Sequence, residues 1–126
     1  MAKLINAKLK PGTTPILNAV VSGVDIREAT VYIAIETGEI THMKSTHDDN
    51  GMISLDPVYD ENEQIIGTEV TVMYTQEETL WMRPGFAKVE IGWVFDDDSA
   101  DKTNIGRVFI PNTLIRGVMR YGRNPS

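Results

Sequence analysis

Cysteine is absent from the 126-residue sequence. A disulfide framework, a thiol nucleophile and every thiolate metal site are therefore excluded. Long apolar runs are absent too, since none approaches the roughly 18 residues that a membrane-spanning helix needs. Polar residues Lys3, Asn6 and Lys8 interrupt the N-terminus before the apolar core of a signal peptide could form. We therefore expect neither a membrane partner nor secretion by the usual signal.

Basic residues are scarcer than acidic ones, 12 against 18, which gives a net charge of −6. A field of that sign repels nucleic acid, so nucleic acid is not an expected partner. The charge is unevenly distributed along the chain, because residues 102–126 contain five basic residues and no acidic one. One interpretation is a solvated tail that carries a few arginines. The other is a basic tail that docks head-to-tail on the acidic body of a neighbouring copy, which would build rings or tubes.

The sequence is typical of a single globular domain spanning residues 1–126, with 41% apolar and 24% charged residues. Its dominant hydrophobic period is two: Val31, Ile33 and Ile35 share one face, and the alternation over residues 87–95 predicts a central core strand. Turn clusters separate these strands from further ones, expected at residues 15–21, 39–44, 52–58, 68–75 and 104–110. Seven to eight short strands predict an all-β, antiparallel β-sandwich.

One segment departs from the strand period. Thr75 is followed three residues later by Glu78, which is the spacing of a capping box, with acidic residues in the first turn. We predict one short helical turn there, with Leu80 and Trp81 covering the open end of the sandwich as a lid. Residues 1–10 are expected to form a flexible lead, and residues 117–126 a basic tail.

Candidate chemical groups in the sequence are few. Asp96, Asp97, Asp98 and Asp101 could hold a cation such as Ca²⁺, but aspartates in a solvated hairpin turn explain the same spacing better. His42 and His47 are interpreted as exposed polar residues. Nucleophile and phosphate-binding motifs are missing. We therefore assign no catalytic, cofactor-binding or metal-binding residue and do not expect an enzyme.

The C-terminal residues continue with apolar side chains beyond the last predicted strand. Such residues fold back along the body, add a strand, or cover a neighbouring molecule. We favour the neighbour. The expected contact residues are Arg116, Val118, Met119, Arg120 and Tyr121.

The order of these segments resembles that of small all-β proteins of tailed bacteriophages and prophages. The likeness extends over residues 11–115 and includes a recurring central segment and an N-terminal part. Its elements are a strand that ends at Tyr74-Thr75, then Gln76-Glu77-Glu78-Thr79-Leu80, Pro84-Gly85, the strand Lys88–Trp93, an acidic turn, a strand beginning Thr103-Asn104-Ile105, and, nearer the N-terminus, Pro11–Pro15, Val24-Asp25-Ile26 and Thr30–Ile35.

The layout is similar to the immunoglobulin-like N-terminal domain of phage upper baseplate proteins. This resemblance implies an immunoglobulin-like sandwich and a non-enzymatic structural role in the virion, assembled in the host bacterial cytoplasm. It implies other phage structural proteins as partners, together with homo-oligomers, and no cofactor. Two alternatives stay open: a glycan-binding or adhesion module, which exposure of Trp81 or Tyr59 would favour, and a monomeric inhibitor of a host protein with one contiguous apolar patch.

Overall fold

A computed structural model describes residues 2–48 and 50–122. These residues form eight strands and one short α-helix, and no helix among them is long and apolar enough to cross a membrane. In chain order the elements are β1 (Ala2–Ala7), β2 (Ile16–Ser22), β3 (Thr30–Thr37), β4 (Ile40–Ser45), β5 (Ile53–Tyr59), β6 (Ile65–Met73), α1 (Gln76–Leu80), β7 (Gly85–Val94) and β8 (Ala100–Ile110).

The strands form two antiparallel sheets within the described part of the chain, with the orders β1-β2-β6-β5 and β4-β3-β7-β8. In immunoglobulin lettering these orders are A-B-E-D and C′-C-F-G, which is the constant-type arrangement with strand C′ added. The prediction of an immunoglobulin-like antiparallel β-sandwich with one short helical turn is confirmed.

The core lies between the sheets and follows the predicted alternation. Every second residue of β2 and β3, and of β7 from Ala87 onward, is buried, while the residues between them are half-buried or exposed. The period-two pattern is therefore the pattern of a sheet with one face against the core. The fully buried strand residues include Leu17, Ala19, Val21, Val31, Ile33, Ile35, Val70, Val72, Ala87, Val89 and Ile91.

The N-terminal residues differ from the expected flexible lead. β1 pairs antiparallel with β2, from Ala2 opposite Val21 to Ala7 opposite Leu17. Leu4 packs against the core, and Leu9 is fully buried. The physical reason is that β2 would otherwise leave a row of unpaired backbone groups at the sheet edge. The far end of the expected basic tail, residues 123–126, lies outside the described residues.

The predicted capping box is present at α1. Thr75 N donates to Glu78 Oε1 at 2.8 Å, and Glu78 N donates to Thr75 Oγ1 at 3.2 Å. The predicted lid is wrong for Trp81, which is 67% exposed, whereas Leu80 is half-buried. Thr79 and Met82 are buried, and the Met82 amide donates to Thr79 O at 3.0 Å.

Strand direction divides the molecule into two ends. Loops 23–29, 60–64 and 95–99 form what we term the loop end: Gly23 N donates to Ile66 O at 2.8 Å, and Thr30 pairs with Val94. Segments 8–15, 37–39, 74–84 and 111–122 form what we term the helix end, because it contains α1.

Candidate functional site

Thr79 joins α1 to the segment that precedes β2. Its buried hydroxyl oxygen accepts hydrogen bonds from Gly12 N at 2.9 Å and from Thr13 N at 3.1 Å. The hydroxyl proton has Thr13 O and Gln76 O within reach, at 2.9 Å and 3.1 Å. One side chain thus satisfies two backbone amides outside the sheets. The result is a fixed base at the helix end.

The C-terminal segment, residues 111–122, lies across this base. Met119 N donates to Gln76 Oε1 at 2.7 Å, and Gln76 Nε2 donates to Met119 O at 2.9 Å. Ile115 lines a pocket together with Leu80 and Met82. Of the three arrangements considered from the sequence, the segment adopts the first: it folds back along its own body.

The five predicted contact residues are all in this segment. Arg116 and Arg120 are exposed, and Val118 is half-buried. Met119 is 41% exposed although its backbone is held by Gln76, and Tyr121 is fully exposed. The structure thus gathers these residues on one end of the molecule, with their charged and aromatic groups open to solvent.

Further exposed apolar side chains at this end were not among the predicted contact residues. They include Trp81 (67% exposed), Phe86 (66%), Phe109 (58%), Leu114 (93%) and Ile115 (54%). The signal for Phe86 was available, because it is out of phase with the inward residues Ala87 and Val89. Single exposed apolar residues are ordinary, whereas several at one end mark a contact surface. We call the set Trp81, Phe86, Phe109, Leu114, Ile115, Met119 and Tyr121 the apolar surface.

Two aromatic members of the apolar surface lie on the outer face of the β4-β3-β7-β8 sheet. Phe86 and Phe109 occupy directly opposite positions on β7 and β8, and their ring centroids lie 5.5 Å apart in an edge-to-face arrangement. The guanidinium of Arg107 lies 5.2 Å from the centroid of the Phe86 ring. Exposed aromatic and arginine side chains are the residue types that dominate binding energy at protein interfaces.

A polar network lies behind the helix end and joins the two sheets. The side chain of Lys44, which is 3% exposed, donates to Glu78 Oε1 at 2.9 Å and to Met73 O at 2.7 Å. Its ammonium also lies 4.8 Å from the centroid of the Tyr74 ring. His42 Nε2 lies 3.6 Å from Glu78 Oε2. His42 is half-buried, whereas we expected an exposed strand residue.

The electrostatics of this network favour a charged Glu78. Burial acts to raise the pKa of Glu78, but the hydrogen bonds from Lys44 and from the Thr75 amide outweigh it, so the pKa is lowered. Burial raises the pKa of Tyr74, and the negative charge of Glu78 adds to the shift. Lys44 and Glu78 therefore form an ion pair that ties β4 to α1.

The loop end holds the predicted aspartate turn. Asp97 accepts hydrogen bonds from the backbone amide and hydroxyl of Ser99, and these bonds lower the pKa of Asp97. Within residues 2–48 and 50–122, no group of three or more His, Asp or Glu side chains is arranged to hold a metal ion. His47 lies in an exposed turn, as expected.

A shallow groove of about 530 Å³ runs over the outer face of the β4-β3-β7-β8 sheet. Its lining includes Tyr32, Met43, Gly92 and Lys102. Gly92 has no side chain, so the strand is open to solvent at that point. The groove combines an aromatic ring, an apolar floor and charged groups, which is the composition of many small-molecule sites.

The strand order defines the class of protein as an immunoglobulin-like β-sandwich. No protein-family model matches the sequence, and none of the curated proteins matches it. Because sandwiches of this kind have many unrelated functions, the fold alone selects none of them. The geometry of the two ends and of the groove therefore carries the functional argument.

Proposed function

We propose that this protein is a non-enzymatic assembly component that acts through protein–protein contacts. The observation that carries the proposal is the apolar surface at the helix end, where seven large side chains are between 41% and fully exposed. Surfaces of this kind mark interaction sites, and the four aromatic residues of this one, with Arg107 beside Phe86, are of the types enriched at interface centres.

The base beneath the surface supports the same proposal. Thr79 binds the backbone of segment 8–15, and Gln76 binds the backbone of the C-terminal segment. The apolar side chains at this end are therefore presented from a fixed backbone. A preorganised surface loses less conformational freedom when a partner binds.

We further propose that the assembly is a tailed-phage or prophage particle, in its baseplate or tail. The support is the resemblance of the sequence around α1 and β7 to small phage structural proteins. In this proposal the chain is located in the virion, and its partners are other structural proteins of the particle and further copies of itself.

The experiment is particle fractionation. An epitope-tagged chain is expressed in the bacterium that encodes it, particles are induced, and the particles are separated from free protein on a density gradient. The proposal predicts tagged protein in the particle fraction. Tagged protein found only among the free proteins would contradict it.

A matched pair of variants tests the surface itself. Trp81→Ser removes an exposed aromatic side chain at the helix end, and Met43→Ser removes a similarly exposed side chain (60%) from the face of a sheet. We expect Trp81→Ser to lower incorporation about tenfold, since central aromatic residues contribute most at interfaces. Met43→Ser is expected to incorporate like the unmodified chain. Equal incorporation of both variants would contradict the assignment of the surface.

Glycan binding is the second candidate, and specific observations favour it. Trp81 is 67% exposed and Tyr59 is 57% exposed, which is the discriminating feature named from the sequence. These two aromatic residues lie at opposite ends of the molecule, whereas the groove places Tyr32 beside charged groups. A sugar would therefore bind in the groove or on Trp81, but not across Trp81 and Tyr59 together.

Two variants separate these sites on a glycan array. Gly92→Ala adds a methyl group to the groove floor, where the new Cβ would meet Lys102 Cβ at an ordinary contact distance of 3.5 Å. Loss of glycan binding in Gly92→Ala would place the sugar in the groove, and loss in Trp81→Ala would place it at the helix end. A chain that binds no glycan on the array would exclude this candidate.

A further inference from the structure

The loop end of the molecule is acidic. Its three loops contain eight of the 18 acidic residues of the chain and a single basic residue, Arg27. Arg27 is already engaged by Asp25, with two side-chain hydrogen bonds of 2.9 Å. Glu28, Glu61 and Glu63 are exposed. The loop end therefore presents a surplus of negative charge to any neighbour.

The loop end also has exposed apolar side chains. Tyr59 is 57% exposed, and Ile65 and Ile66 are 41% and 48% exposed. Tyr59 and Ile65 are partners across the β5–β6 hairpin, next to the acidic loop 60–64. This end thus combines apolar area with negative charge.

The helix end has the opposite character. Its segments contain five basic residues, Lys8, Lys10, Arg83, Arg116 and Arg120, against three acidic ones. One of the three, Glu78, is paired with Lys44. The apolar surface occupies the same end. This end thus combines apolar area with positive charge.

We propose that the helix end of one copy docks on the loop end of the next copy. The inference rests on the proposed assembly function and names a second copy of this chain as the partner. Apolar area meets apolar area in this contact, and opposite charges face one another, which lowers the cost of bringing the two ends together. A contact between two loop ends would instead bring the eight acidic residues of one copy against the eight of the other. A contact between two helix ends would bring arginines against arginines.

The contact is heterologous, because different surfaces of the same molecule meet. A pair of docked copies still has one unoccupied helix end and one unoccupied loop end. Such contacts close into a ring when the rotation between copies allows it, and otherwise extend into a filament. Association should therefore increase with protein concentration and weaken with salt, which screens the charges.

Charge reversal at one end at a time tests the inference. The helix-end variant is Arg83→Glu/Arg116→Glu, which leaves three basic and five acidic residues at the helix end. The loop-end variant is Glu28→Lys/Glu61→Lys/Glu63→Lys/Asp96→Lys, which leaves four acidic and five basic residues at the loop end. Sedimentation velocity over a concentration series measures the mass of each variant alone and of an equimolar mixture. We expect the unmodified chain at low salt to reach about twofold or more the monomer mass of 14.0 kDa.

Each variant alone is expected to stay at the monomer mass, because its two ends have the same sign of charge. The mixture is expected to regain association, because every end then finds an opposite partner. The control is Lys3→Glu/Lys88→Glu, which changes the net charge as the helix-end variant does but on the strands β1 and β7. This control is expected to associate like the unmodified chain.

Two results would overturn the inference: an unmodified chain that stays monomeric at every concentration and salt, or variants that associate alone as well as the unmodified chain does. The proposed function is tested independently of this contact. A monomeric chain that still enters particles would support the proposed function and contradict the contact between copies. A chain that associates head-to-tail but is absent from particles would support the contact and contradict the proposed function.

Discussion

Lys44 shows how one side chain links two sheets. It extends from β4, is almost fully buried, and contacts the carbonyl of Met73 and the carboxylate of Glu78 on the opposite side of the sandwich. A buried ammonium is stable only when its donors are satisfied. The same residue would be expected on a solvated face from the sequence alone, since lysine is rarely buried.

Replacing Lys44 by methionine is expected to lower the free energy of unfolding by about 2 kcal/mol, because the Glu78 charge and the Met73 carbonyl lose a partner. Urea denaturation measures the change. Lys88→Met, at an exposed position of β7, is the control and should change stability by less than about 0.5 kcal/mol. Equal effects of the two substitutions would show that the ion pair contributes nothing.

Glu78 gives stability a dependence on acid pH. Its pKa is lowered below the usual value of 4.5 in the folded chain, so the unfolded chain binds this proton more tightly. The stability that the charge supplies is therefore present above pH 4.5 and is lost as the pH falls through the folded-state pKa.

Glu78→Gln is expected to be less stable near neutral pH and to lose less stability on acidification than the unmodified chain. Unfolding free energies measured on both sides of pH 4.5 test this expectation. Glu77→Gln, exposed in the same helical turn, should follow the unmodified chain. An identical acid dependence in Glu78→Gln and the unmodified chain would rule out the assigned role.

At the scale of elements, α1 is held by its neighbours rather than by its own length. Five residues cannot form a stable helix alone. The capping box fixes the first turn, and the Thr79 hydroxyl fixes the preceding segment 8–15 to it. The helix is therefore part of a hydrogen-bonded unit that supports the apolar surface.

Thr79→Val tests this unit. The substitution preserves side-chain shape but leaves the amides of Gly12 and Thr13 without their acceptor, so we expect a loss of about 2 kcal/mol in unfolding free energy. Thr41→Val, at an exposed position of β4, is the control. Hydrogen exchange of the Gly12 amide should accelerate in Thr79→Val only. Unchanged stability and exchange would contradict the role of the hydroxyl.

Alanine substitutions at two strand glycines are expected to have opposite effects on stability. A Cβ on Gly67 would lie 2.6 Å from the carbonyl oxygen of Val21, which is backbone of the paired strand and has no room to move. A Cβ on Gly92 meets only ordinary contacts. We expect Gly67→Ala to destabilise the fold by about 2 kcal/mol or more. Gly92→Ala should stabilise it by about 0.5 kcal/mol. Thermal unfolding of both variants gives the comparison, and a reversed order would be inconsistent with the register of β2 and β6.

For the whole molecule, the sequence predicted what depends on local patterns. The alternation in β3 and β7 and the pairing of Thr75 with Glu78 are local signals, and both appear in the structure. β1 was missed because it has no strong alternation of its own and forms by pairing with β2, the next strand of the chain. Pairing contacts of this kind leave little mark on the segment itself.

The candidate surface was predicted only in part for the same reason. The apolar and basic residues after Ile110 were visible as an excess beyond the last strand. Their neighbours Trp81 and Phe86 join them only because the β6–β7 connection and the end of β8 meet at the helix end. The charge difference between the two ends likewise arises from topology, which brings loops distant in sequence together.

The most direct test of the central claim is the molar mass in solution by light scattering. The full chain is compared with a chain that ends at Arg116, each at low and at high salt. We predict that the full chain at low salt exceeds 14.0 kDa, and that salt or the truncation reduces the mass toward the monomer value. Full and truncated chains that both remain at the monomer mass in every condition would contradict the claim that the helix end is a contact surface between copies.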